Sequence, residues 1–195
     1  MTRYAEQPRR EAPGRYRVRD LALVAMMAAL SVVLTRYASI RVAIGGIEGI
    51  RIGFGGIPNI IAGFVISPVA GAISGALADV AGFFLSPMGS YMPHFTITAA
   101  LAGFIPGAVY RLLRKERGEK LEVWATVLSV MAGQLTVSLG LTPYFLHSLF
   151  GLPWPVLIPP RVVSFVLDVP VSVYFIHAVS DPLFRLRQRA HTSDA

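Results

Sequence analysis

The chain has 195 residues, 54% of them hydrophobic and only 15% charged, too apolar a mixture for a water-soluble domain of this length. Its net charge of +7 sits in short basic blocks beside apolar stretches, without interleaved aromatics, which excludes a nucleic-acid partner and points to a lipid bilayer. With no cysteine, disulfides, thiol nucleophiles and cysteine metal sites are excluded as well.

Residues 1–20 read as a polar, basic tail. The apolar run Leu21 to Leu34 has the look of a secretory signal, but no small-x-small cleavage site follows Tyr37, and losing the run would leave five helices. It is the first membrane helix, 21–38. Hydropathy and the Gly/Pro punctuation predict further helices over 55–66, 68–86, 95–113, 123–147 and 159–181. The second is short, with Pro58 at its start, where a missing amide donor costs least. Since a span takes roughly 20 apolar residues, six spans fill 21–184 as one all-α membrane domain, leaving 185–195 as a second tail.

Short cytoplasmic loops carry the excess of Lys and Arg. With the N-terminus inside, Arg3, Arg9, Arg10, Arg15, Arg17, Arg19, Arg111, Arg114, Lys115, Arg117, Lys120, Arg185, Arg187 and Arg189 all fall on the cytoplasmic side. Only Arg36, Arg41, Arg51 and Arg161 fall outside, and an even number of spans is needed to bring the basic C-terminal block back in. The expected topology is six spans with both termini cytoplasmic, in the cell membrane. Three connections then face outward: 39–54, 86–94 and 147–160. The first is long for a bundle turn, a length often functional. The third carries Trp154, either an interfacial anchor or a lid.

An ionised group inside a span must find a partner, which marks Asp79 and Asp168 as either site residues or interior carboxyls held by neighbouring helices. Arg51 and Arg161 lie at outer helix ends, where they either snorkel to headgroups or face inward to pair with a carboxylate on an anionic ligand. Tyr91, Phe95 and Tyr144 offer aromatic faces for a planar ring, or core packing. His94 and His147 lie at outer helix ends without metal-site spacing. Ser90 with His94 or His147 is the one conceivable nucleophile and base, without a Gly-x-Ser-x-Gly elbow, so an enzyme is not expected. No Gly-x-x-x-x-Gly-Lys-Ser/Thr loop is present, so ATP would have to be used by a separate protein. Gly71 and Gly75, and Gly103 and Gly107, have the spacing of close helix packing; Ala25 and Ala29 fit either internal packing or docking onto another protein.

The segment Ile50-Arg-Ile-Gly-Phe-Gly-Gly-Ile-Pro58, then Ser67-Pro-Val-Ala-Gly-Ala-Ile-Ser-Gly-Ala-Leu-Ala-Asp79, then Pro87-Met-Gly-Ser-Tyr-Met-Pro-His-Phe-Thr96 resembles the S components of energy-coupling factor (ECF) transporters, the folate-type branch in particular. The resemblance implies a six-helix subunit that captures a vitamin and docks onto a membrane scaffold subunit carrying two ATPases, with no cofactor of its own and ATP used by those ATPases. It implies a substrate site including Arg51, Tyr91, His94, Thr96, Tyr144 and Arg161, beside which Asp79 stands as a candidate through its place inside a span, and a docking face at Ala25 and Ala29. One departure stands out: the branch often has Arg-Ile-x-Lys-Gln at the start of the last helix, whereas this chain has Arg161-Val-Val-Ser164-Phe165, losing a cation and an amide. The expected function is vitamin binding for ATP-driven uptake, with folate or a relative as substrate. The alternative is a self-sufficient transporter or channel using Asp79 and Asp168.

Overall fold

The structure, a computed structural model, describes the backbone of residues 18–44, 47–85, 91–113 and 122–193; the side chains of 39–52 and 180–193 lie outside the description. Arg51 and the 86–90 stretch with Ser90 therefore contribute no side-chain geometry.

The elements in chain order are α1 (Val18–Tyr37), β1 (Ser39–Ile44), β2 (Ile47–Gly53), a 3-10 turn (Phe54–Gly56), α2 (Ile57–Val65), α3 (Pro68–Leu85), α4 (Pro93–Leu113), α5 (Val123–Gln134), a π-helical segment (Leu135–Leu141), α6 (Thr142–Phe150) and α7 (Trp154–Ser193). Among the described residues, five helical stretches are long and apolar enough to cross a membrane, α5 to α6 counting as one continuous stretch from Val123 to Phe150. A sixth apolar helix, Phe54–Val65, is shorter. Each expected helix has its counterpart, and the protein is a multi-pass membrane bundle.

Two connections differ from expectation. Within residues 39–54, expected as a long loop, β1 and β2 pair as an antiparallel hairpin with Ser39 opposite Gly53 and Arg41 opposite Arg51, with a register shift at Val42/Ala43. The reason is local: Ile40, Val42 and Ile44, then Ile50 and Ile52, alternate with other residues in the period-two, β-branched pattern that favours strands. The third connection shrinks from 147–160 to 151–153, because α6 runs to Phe150 and α7 starts at Trp154. Gly151 ends α6 in the left-handed conformation (φ 66°), and its N–H reaches the His147 carbonyl at 2.9 Å. Pro155 falls in the first turn of α7, where no donor is needed.

α2 holds the centre. All nine of its residues are buried, including Pro58, Asn59 and Gly63, so a helix of roughly 18 Å with its 3-10 turn survives by being wrapped in protein rather than lipid. Phe64 stacks on Tyr110 of α4, ring centroids 4.5 Å apart. At the other flank α2 meets α3 and α4 where four glycines cross. A Cβ on Gly71 would sit 2.6 Å from the Gly103 carbonyl oxygen and 2.9 Å from the Gly63 Cα; one on Gly107 would sit 3.0 Å from that same Gly63 Cα. Backbone thus packs on backbone, as the small-residue spacing in α3 and α4 leads one to expect. Beyond this crossing, Gly133 of α5 receives the ring of Pro106.

Helix ends inside the bundle are capped. Ser67 Oγ accepts from the Ala70 N–H at 2.9 Å and starts α3, with Pro68 next to it. Arg111 donates to the Ile66 carbonyl at 2.8 Å and Arg36 donates to the Gly82 carbonyl, placing cations at the C-terminal ends of α2 and α3.

A buried polar chain ties three helices together. Ser31 of α1 donates to the Gly55 carbonyl at 2.5 Å, Asn59 of α2 donates to Ser31 Oγ at 3.1 Å, and Ser74 of α3 donates to Asn59 Oδ1 at 2.8 Å. Each of these bonds satisfies a polar group inside the bundle, away from lipid that could offer it no partner. Replacing Asn59 by Leu removes the middle link and strands the Ser74 hydroxyl. The expected loss is roughly 1 to 3 kcal/mol of stability, measured as earlier thermal unfolding in detergent, with Ser31→Ala giving a smaller shift.

Candidate substrate site

The alternation of helix directions along the chain puts the hairpin, the start of α4 and the 151–153 turn at one end of the bundle. The sequence-predicted site residues gather towards this hairpin end. Asp79 lies on α3, about a turn and a half before its last residue, and is half-buried. Thr96, in the first turn of α4, donates its hydroxyl to Asp79 Oδ2 at 2.7 Å. Tyr91, just before α4, has its phenolic oxygen 2.7 Å from Thr96 Oγ1. Because the Thr96 hydrogen is already given to the carboxylate, the Tyr91 hydroxyl is the donor in that second bond. Three of the expected residues therefore form one directed chain, Tyr91 to Thr96 to Asp79.

Phe83 follows Asp79 by four residues on α3 and so shares its face. Its ring meets Tyr91 edge to face, centroids 5.2 Å apart. The chain of polar groups is thereby flanked by an aromatic wall.

A second cluster joins α4 to α6. His94 packs on Phe145 at 5.1 Å between centroids, and Phe145 on Tyr144 at 5.7 Å. His94 and Tyr144 are both exposed. The two clusters share one root, since Tyr91, His94 and Thr96 all come from the start of α4. His147 does something different: its Nδ1 lies 2.8 Å from the Leu152 carbonyl, so Nδ1 carries the hydrogen, and its ring packs on Trp154 at 5.1 Å. Trp154 thereby closes the short turn between α6 and α7.

Arg161 is half-buried, two turns into α7, and Asp168 is half-buried two turns further on. Both have interacting partners. Arg51 stands on β2 opposite Arg41 in the hairpin register, and β2 runs beside α7. At the two positions that depart from the folate-type pattern, Ser164 is buried and Phe165 packs against the apolar core. Ala25 and Ala29 lie on an exposed stripe of α1 together with Met26, Leu30 and Val33. No partner helix of the bundle covers that stripe among the described residues.

Phe83 and Phe145 escaped the sequence reading, as did the π-helical segment. Phe83 could have been found from its four-residue spacing to Asp79. The π-helical segment is announced by Thr142-Pro143 inside an otherwise uninterrupted apolar run: Pro143 lacks the amide to continue an α-helix, and Thr142 Oγ1 donates to the Val137 carbonyl at 2.8 Å.

Comparison with known proteins agrees with this architecture. The family model described as ECF-type riboflavin transporter, S component, matches residues 15–174. A curated relative, the folate transporter FolT of Clostridium novyi (strain NT), is 31% identical over 170 residues, covering 87% of this chain and 92% of its own. Among solved structures, a crystal structure of FolT bound with folic acid superposes with a TM-score of 0.69 at 26% identity, covering 87% of this chain and 96% of that one. The S component of a bacterial ECF transporter shares the fold, with a TM-score of 0.61 at 18% identity over 85% of this chain and 97% of its own. These relatives are transport subunits and not enzymes. With a directed polar chain and aromatic rings at the hairpin end of a multi-pass helical bundle, and with the family model spanning most of its length, the chain belongs to the S components of ECF transporters.

Proposed function

We propose that this chain captures folate, or a related compound, on the outer face of the cell membrane and delivers it to an ATP-driven uptake complex. The observation that carries the reading is the likeness to FolT, which runs through nearly the whole of both chains. In this reading both termini are cytoplasmic, as the distribution of Lys and Arg favours, and the hairpin end faces out. Arg51 and Arg161 hold the anionic part of the ligand. Tyr91, His94 and Tyr144 supply ring contacts, and Asp79 and Thr96 polar ones.

The chain binds no cofactor of its own. Its partners are a membrane scaffold subunit, met through the Ala25 and Ala29 stripe, and two ATPases that use ATP. Ser164 and Phe165, about three turns into α7, replace a cation and an amide of the folate-type pattern and leave that stretch of the helix less polar.

Titration of the purified protein in detergent with a panel of vitamins tests the reading. Folate or a folate-like compound is expected to bind with sub-micromolar affinity, and vesicles containing this chain alone are expected to show no uptake. Absence of any tight folate-like ligand, or uptake without an ATPase, would overturn it.

A further inference from the structure

The family model carries the name of one vitamin and the FolT relatives that of another. The two vitamins differ in the ring edge they present. A pterin offers two adjacent donors, the ring N–H and the 2-amino group. An isoalloxazine offers one N–H set between two carbonyl oxygens. We propose that Asp79 is the specificity-determining residue of this site, accepting from a ring edge with two adjacent N–H donors and rejecting the edge with one donor between two acceptors. This rests on the folate-type reading above.

The direction of the hydrogen-bond chain carries the inference. Tyr91 donates to Thr96 and Thr96 donates to Asp79 Oδ2, both at 2.7 Å, so each hydroxyl hydrogen in the chain is spent pointing towards the carboxylate. What remains for a ligand is acceptor capacity alone: Asp79 Oδ1, a second lone pair on Oδ2, and the phenolic oxygen of Tyr91. Among the described residues, Thr96 is the hydrogen-bond donor to Asp79, and no guanidinium or ammonium group bonds to it. A carboxylate has room for about four hydrogen bonds. One half-buried within a membrane-spanning helix and holding a single hydroxyl is under-satisfied.

A flat ligand fits the surroundings. Phe83 lies one turn beyond Asp79 on the same face of α3, and its contact with Tyr91 joins an aromatic pair to the residue that heads the hydrogen-bond chain to the carboxylate. A ring lying against that pair turns its edge, not its face, to Asp79. Two parallel N–H donors then meet two carboxylate oxygens as a guanidinium would. A carbonyl oxygen brought to the same place meets a second acceptor with no hydrogen between them. Such mismatches are punished heavily, because both groups lose their hydration without gaining a bond.

The experiment compares folic acid with its 2-oxo counterpart, in which a carbonyl replaces the 2-amino group, and with riboflavin. Affinities are measured on the purified wild-type protein and on Asp79→Asn, Thr96→Val and Phe83→Leu. Wild type is expected to prefer folic acid over the 2-oxo counterpart by about 30-fold or more, the scale set by a lost hydrogen bond to a charged group. Asp79→Asn, which swaps one acceptor for a donor, should shrink that preference to a few-fold, while Phe83→Leu weakens both pterins equally. Thr96→Val, acting through the orientation of Asp79, should reduce the preference part of the way.

Equal binding of the two pterins by wild type would overturn the role of Asp79 while leaving folate capture standing. Tight riboflavin with no pterin binding would overturn both. Should Asp79→Asn fail to fold, the wild-type ratio of the two pterins still decides.

Discussion

Gly103→Leu is expected to yield no folded protein, whereas Gly56→Ala, in the same bundle, should fold normally or slightly better. At Gly103 a Cβ would run into the Gly71 carbonyl, and both partners are backbone. The reciprocal contact, from a Cβ on Gly71, is 2.6 Å to the Gly103 oxygen. Neither helix can yield alone, because Gly71 also abuts Gly63 of the buried α2. Extra methylenes in a packed core cost about 1 to 3 kcal/mol where side chains can adjust; here whole helices would have to part. Gly103→Ala is the graded version and should survive with lowered stability. Gly56, by contrast, has nothing within 4 Å of a built Cβ and already holds helical angles, φ −75° and ψ −23°. Alanine there gains roughly 0.4 to 1 kcal/mol through the unfolded chain. Size-exclusion profiles and thermal unfolding in detergent measure both. Normal folding of Gly103→Leu would mean that the three helices do not meet as described.

Ala25→Trp combined with Ala29→Trp should abolish vitamin uptake by the assembled complex and leave the affinity of the isolated subunit unchanged. The two positions lie on the exposed stripe of α1, away from its buried Val24, Met27, Ala28, Ser31 and Val32. Large side chains there meet no interior group, so fold and ligand site are spared. A scaffold helix that approaches two alanines closely cannot approach two indoles, because association of membrane helices depends on that close packing rather than on a hydrophobic drive. Uptake assays in cells supplying the scaffold and ATPases, paired with ligand titration of the purified variant, separate the two effects. Uptake at the wild-type level would remove this stripe as the docking face. Loss of binding along with uptake would show that the stripe supports the ligand site instead.

Much of the bundle was legible because the membrane imposes it locally. Each of α1, α3, α4, the α5 to α6 stretch and α7 shows as an apolar run, and Ser67-Pro68 announces a helix start before any contact is known. The hairpin has an equally local cause, the period-two alternation of its Ile and Val residues, a pattern to which hydropathy and charge are blind. The site was legible only in part. Asp79 stands out as an acid in a span, but nothing in the residues 80–95 tells that Thr96 will be its donor. His147, which the sequence offers only as a conceivable base for Ser90, is occupied in closing a turn.

The sequence by itself determined where the apolar helices lie along the chain, in what order, and which residues cannot rest in lipid unpaired. Those properties depend on the free energy of transferring short segments, which each segment carries with it. Tertiary structure alone decided which face of each helix turns inward. Core and lipid are both apolar, so amphipathic periodicity, the usual guide to a buried face, is weak in such helices. That is why the full burial of α2, the reach of Asn59 to two helices and the meeting of Asp79 with Thr96 and Tyr91 appear only once the glycines of α2, α3 and α4 have locked the rotation of the helices around one another.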